Sequence, residues 1–175
     1  QLKAFVDKEI KPYVNDWDEE GRVPWELHQK AGALGVWGFG IDEKYGGLGE
    51  DDSFLRAIYN EEFAKCGAGG VGAAMGGRMI SLEPIQRLCS TEIKDRVLKD
   101  IVTGKKGSSL GITEPGGGSD VANMKTTAKR DGNHFVINGS KTFITGAMTS
   151  DYFVVGARTG GEGLKGISLF FVEAD

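Results

Sequence analysis

Leu110-Gly-Ile-Thr-Glu-Pro-Gly-Gly-Gly-Ser-Asp120 and, further on, Asn138-Gly-Ser-Lys-Thr-Phe-Ile-Thr145 decide how this chain reads. The first stretch joins two strand-like segments through a Pro/Gly-rich turn ending in Ser119-Asp120. The second forms a hairpin whose return strand carries Lys141, Thr142, Phe143 and Thr145. Without a Cβ, Gly116, Gly117 and Gly118 let backbone amides approach an anionic or carbonyl-bearing ligand closely. Thr113, Ser119 and Thr145 add orientable hydroxyls of the kind that fix a flat heteroaromatic group. As chemistry, the pair of segments reads as a ligand shelf on a β-scaffold.

Outward from this shelf the hydrophobic period changes near Gly107. Before it, apolar residues recur at helical spacing: Leu2, Phe5, Val6, Ile10 and Tyr13 in a first helix, then Trp25 to Leu34 behind Pro24. Asp52 or Ser53 caps a third helix through Phe63, another runs from about Leu82 to Leu88, and Ser90 or Thr91 caps the next, ended by Gly104. After Gly107, Lys125–Arg130 and His134–Ile137 flank Asp131-Gly-Asn as a hairpin. Asn138-Gly139 reads as a second, type I′ turn. Asp151–Ala157 and Ile167–Glu173 add two strands. Helices first and strands second is an α+β order: an all-helical domain over 1–106, then an antiparallel, barrel-like β-domain over 107–175.

The composition bounds the function. With 39% apolar and 26% charged residues the chain has the makeup of a soluble globular protein. A net charge of −4 argues against a nucleic-acid partner. No apolar run approaches the ~20 residues that span a bilayer. Two cysteines, Cys66 and Cys89, make no disulfide framework and read as buried small hydrophobes.

Several patterns invite stronger readings and fail. Gly67-Ala-Gly-Gly-Val-Gly72 fits G-x-G-x-x-G, but a helix end precedes it where dinucleotide binding requires a strand, so it reads as a helix–helix connection. Gly139-Ser-Lys-Thr142 lacks the upstream glycine and following helix of a P-loop. Asn138-Gly-Ser140 matches a glycosylation sequon and is better explained as a turn. His28 and His134 have no partner at metal-ligand spacing and read as surface or strand-face residues. Trp17, Trp25 and Trp37 read as helical core, while Glu114 looks by position like a catalytic carboxylate.

The quoted segments resemble the acyl-CoA dehydrogenase family, whose β-domain carries Thr-Glu-Pro-Gly-x-Gly-Ser-Asp and then Asn-Gly-x-Lys-x-[Trp/Phe]-Ile-Thr. Ile41-Asp-Glu-Lys-Tyr-Gly-Gly-Leu-Gly49 is similar to a further family turn, with Asp42 where Pro is common. Phe143 stands where many members have Trp, and Gly117 where many have Ala.

The resemblance implies an FAD-dependent enzyme that removes the α-proton and β-hydride of a fatty acyl-CoA to give the trans-2-enoyl-CoA. An electron-transferring flavoprotein would accept the electrons. It implies flavin contacts at Leu110, Ile112, Thr113, Gly118, Ser119, Phe143, Ile144 and Thr145, with Ser119 also meeting substrate. It further implies a homo-oligomer, dimer or tetramer, in the bacterial cytoplasm or mitochondrial matrix. The family's general base, a glutamate, belongs to sequence beyond Asp175, so no residue here takes the catalytic role, and the resemblance implies a structural role for Glu114 in its turn. Compared with the family, both ends of the chain look cut. An acyl-CoA oxidase, a flavin monooxygenase on the same scaffold, and a non-catalytic flavin or acyl-CoA binding module are the alternatives.

Overall fold

A computed structural model describes residues 1–174. The first predicted helix forms, but not as one regular α-helix. α1 (Leu2–Phe5) continues into a π-helical turn, Val6–Ile10, and a short 3-10 turn, Lys11–Tyr13, before α2 (Val14–Glu20). Pro12 has no amide to offer the ladder, and the Lys11 amide reaches back to the Val6 carbonyl, five residues away. α3 (Trp25–Ala33) follows Pro24, and α4 (Ser53–Ala64) starts where Asp52 Oδ1 accepts the Phe54 amide at 2.7 Å. α6 (Thr91–Val102) is capped by Ser90 and closed by Gly104 at φ +75°.

α5 (Gly69–Leu88) is much longer than expected, beginning inside the run read as a connection. Glycines disfavour a helix by roughly 1 kcal/mol each, which hid its first half. Burial of Val71, Met75, Leu82 and Ile85 on one side supplies the opposing packing. These residues join Phe5, Ile10, Trp37, Phe63, Leu98 and Ile101 in the core. Trp37 is fully buried, whereas Trp17 and Trp25 are only half-buried. Cys66 is buried and Cys89 half-buried, both free. His134 is exposed as expected, but His28 is buried, which corrects its reading as a surface residue. Its ring packs tilted against Trp25, with centroids 4.9 Å apart.

Five strands form one sheet. β1 (Ser108–Gly111) runs parallel to β4 (Tyr152–Arg158), while β2 (Thr127–Asp131) and β3 (His134–Asn138) make the expected antiparallel hairpin. β4 pairs antiparallel with β5 (Ile167–Glu173), and Arg158 pairs in parallel with Thr127 of β2. The α+β order holds, but the purely antiparallel sheet is corrected to a mixed one, and its pairings close no barrel among the described residues. Parallel neighbours need a long crossover, and here residues 112–151 supply it. The predicted return strand after Asn138 does not form: residues 139–146 are an irregular loop, followed by the 3-10 turn Ala147–Thr149.

α5 packs on β1 and fastens the helices to the sheet. Ser81 Oγ and Ser108 Oγ share a buried hydrogen bond of 2.7 Å. A Cβ on Gly77 would lie 2.8 Å from Thr145 Cγ2, so α5 and the 139–146 loop meet at a glycine.

Candidate functional site

The two motif segments come together around one buried ion pair. Glu114, 8% exposed, accepts the Lys125 amide at 2.6 Å and the Thr126 amide at 2.8 Å. Lys141 Nζ reaches the same carboxylate at 3.0 Å and the Ile112 carbonyl at 2.9 Å. A last tie is main-chain, where the Thr142 amide donates to the Thr113 carbonyl at 3.0 Å. Burial pushes the Glu114 carboxyl upward, yet hydrogen bonds from Thr126, Lys125 and Lys141 outweigh it and hold the group at about 2. A permanently ionised, fully engaged carboxylate is a poor proton acceptor, so Glu114 clamps the site, as its structural reading expected.

The turn after Glu114 is narrower than the sequence suggested. The Glu114 and Gly117 amides each donate to the other's carbonyl, at 3.1 and 3.0 Å. The Gly117 amide is therefore spent inside the turn, contrary to the expectation that all three glycines offer amides to a ligand. Gly118 packs against Thr113, with a Cβ position 3.2 Å from Thr113 Cγ2, while Gly116 and Gly117 face open space.

Across the clamp, Phe143 adopts φ +55° and is 91% exposed. A bulky residue in the left-handed region costs about 1 kcal/mol or more, and such backbone clusters at ligand sites. Ser109 Oγ donates to the Thr145 carbonyl at 2.7 Å and pairs with Ser150 Oγ at the same distance, bracing the loop from beneath. The Thr145 and Ser119 side chains are exposed and free to meet a ligand.

The structure thus brings Thr113, Gly118 and the Phe143–Thr145 loop into one neighbourhood. Ile112 sits beneath them, its carbonyl taken by Lys141 and its Cδ1 2.9 Å from the Cβ position of Gly156. Leu110 lies further back in β1 beside Val154 and packs against the helical core. Ser119 stands beyond the turn, exposed.

Sequence reasoning missed Lys141 as the partner of Glu114. A lone lysine between a tight turn and an apolar pair was the available signal. It also missed Arg78, 5% exposed on α5, whose Nε and Nη1 have no hydrogen-bond partner among the described residues. Its Cζ lies 5.0 Å from the Trp25 ring centre and 5.1 Å from that of Trp37. No signal within α5 foretold it.

A shelf with an exposed aromatic, exposed hydroxyls and a glycine turn suits a flat polar cofactor. Fold and shelf together define a two-part α+β protein with a ligand platform on its sheet. The chain belongs to the acyl-CoA dehydrogenase family: the model of that family's N-terminal domain matches residues 1–105 and that of its middle domain residues 109–175. It is 36% identical over 175 residues to the long-chain specific mitochondrial acyl-CoA dehydrogenase of Rattus norvegicus, covering 98% of this chain and 40% of that protein. A probable acyl-CoA dehydrogenase from Mycobacterium abscessus superposes with a TM-score of 0.92 at 38% identity, over 98% of this chain and 46% of that one. PigA with FAD and proline superposes at 0.89 and 30% identity, over 98% of this chain and 45% of its own. The chain spans less than half the length of these relatives.

Proposed function

We propose that this chain forms two domains, 1–106 and 107–175, of an FAD-dependent acyl-CoA dehydrogenase that converts a fatty acyl-CoA to its trans-2-enoyl-CoA. The observation that carries the reading is the clamped shelf, with two distant segments locked by Glu114–Lys141 so that Phe143 stands exposed at a strained backbone position. The flavin, when bound, supplies the two-electron oxidation. Thr113, Gly118, Phe143, Ile144 and Thr145 would hold it, Leu110 and Ile112 would back the platform, and Ser119 would meet cofactor and substrate. Phe143 would lie against the flavin, and the Thr145 hydroxyl would hydrogen-bond to it.

The acyl chain has a place in keeping with this. A groove of about 580 Å³ between α4 and α5 is lined by Tyr59, Phe63, Gly69, Gly72, Gly76 and Met79. That volume lies in the range of small-molecule sites. α5 turns Gly77 toward Thr145 while Gly72 and Gly76 line the groove, an arrangement in keeping with an acyl tail along α5. Deprotonating a thioester α-carbon needs a carboxylate base, together with hydrogen bonds to the thioester carbonyl that stabilise the enolate charge. Glu114 is tied into the clamp and is not available as that base; the family resemblance implies a glutamate beyond residues 1–175 in that role. The working enzyme is a homo-oligomer of the bacterial cytoplasm or mitochondrial matrix and hands its electrons to an electron-transferring flavoprotein. No described helix is long and apolar enough to cross a membrane.

The test is product analysis with the full-length protein, an artificial electron acceptor and acyl-CoA esters of graded length. Enoyl-CoA formed in step with acceptor reduction supports the assignment. Hydrogen peroxide formed in place of acceptor reduction reassigns the protein as an oxidase, and no product from any ester removes acyl-CoA from consideration.

A further inference from the structure

Behind the shelf lies a cation with no anion. Arg78 projects from α5 into a space shared by Trp25, His28, Ser108, Thr145 and Ser150, with a cavity of about 20 Å³, room for roughly one water. It forms no ion pair among the described residues, and its Nε and Nη1 are unpartnered. The hydroxyls nearby are committed elsewhere: Ser108 to Ser81, and Ser150 to Ser109 and the Gly146 carbonyl. The two indole faces, Trp25 and Trp37, attract the guanidinium without neutralising it. His28 adds no charge, because burial and then Arg78 itself hold its imidazole down to about 3. Burial lowers Arg78 only to about 10, so it is a full cation at neutral pH.

An uncompensated charge in a poorly solvated place acts over longer distances than one in water. The loop that forms the far wall of its cavity, Thr145–Gly146, is the loop assigned above to the cofactor. Two-electron reduction of a flavin at neutral pH takes up two electrons and one proton, and leaves the ring system one unit more negative. A fixed cation behind that loop would favour the more negative, reduced form over the oxidised one.

We propose that Arg78 is an electrostatic positioning residue of the redox step, raising the flavin's reduction potential from behind the Thr145–Gly146 loop. The proposal rests on the flavin assignment above and adds to it a group that touches neither cofactor nor substrate. It also accounts for the cost the fold bears in burying a guanidinium without a partner, a cost that an apolar side chain between the same indoles avoids.

The experiment is dye-equilibrated reductive titration of the full-length holoprotein, with dithionite as electron source, for the native protein, R78M and R78K. S108D is included because it leaves Arg78 in place and sets a carboxylate beside it. In R78M and S108D the ratio of reduced to oxidised flavin at a fixed dye ratio falls on the order of tenfold, while R78K stays near native. Should R78M fail to fold, R78Q and S108D carry the same measurement. Native-like potentials in the neutralised variants, with flavin bound, overturn the inference. A native protein without a flavin band overturns the parent assignment as well, and the two failures are told apart before any titration begins.

Discussion

Lys141 and Glu114 show how one residue pair organises a site that no single segment could build. Because the pair is buried and its carboxylate also holds two amides, removing the cation leaves an anion with incomplete compensation. Lys141→Met is expected to lower stability by about 3 kcal/mol and to weaken flavin binding in the full-length protein; equal chemical-denaturation midpoints for variant and native protein contradict the clamp. His28 and Glu114 also set the response to acid. Both have folded-state pKa values below their ordinary ones, near 3 against 6.5 and near 2 against 4.5. The unfolded chain therefore binds more protons in those windows, and stability present at neutral pH is lost as pH falls. The loss starts below about 6.5 through His28 and steepens below about 4.5 through Glu114. Urea midpoints measured from pH 7 to pH 4 should decline in the native protein, and His28→Phe should flatten the portion above pH 5. A flat native profile there contradicts the burial of a neutral imidazole.

Elements in this chain meet through glycines whose purpose is not visible in sequence. A Cβ on Gly32 in α3 would lie 2.4 Å from the Thr103 carbonyl, and one on Gly104 would lie 2.3 Å from the His28 carbonyl, at φ +75° besides. α3 and the end of α6 thus touch backbone to backbone. Gly32→Ala and Gly104→Ala should each cost about 3 kcal/mol, read as a fall in Tm, whereas Gly21→Ala, with nothing within 4 Å, pays only its φ strain. An unchanged Tm for Gly32→Ala would refute that packing. The same contrast explains what could be read in advance. Caps at Asp52 and Ser90, the Asp131-Gly-Asn hairpin and the strands around β4 and β5 are local signals, and they appear where expected. The first half of α5, the parallel β1–β4 pairing and the absent strand after Asn138 depend on distant partners. Tertiary packing overrides glycine's low helix propensity in the first case, and Phe143's left-handed backbone interrupts a strand in the last. At the site, both motifs were legible as stretches, but the Glu114–Lys141 contact joining them spans 27 residues and has no sequence period.

For the whole molecule, the helical part and the sheet work as one support. α5 carries the groove on one side, Gly77 against the Thr145 loop on another, and Arg78 beneath. With the catalytic base expected outside residues 1–175, this stretch expressed alone should form no enoyl-CoA even with FAD supplied, and measurable turnover would contradict that division of labour. The claim at the centre is that the clamped shelf holds a flavin which an acyl-CoA reduces. A visible absorption spectrum of the full-length protein, recorded before and after anaerobic addition of an acyl-CoA, tests it most directly. A flavin band that bleaches on addition is expected, and a protein without the band, or with one that no acyl-CoA bleaches, overturns the assignment.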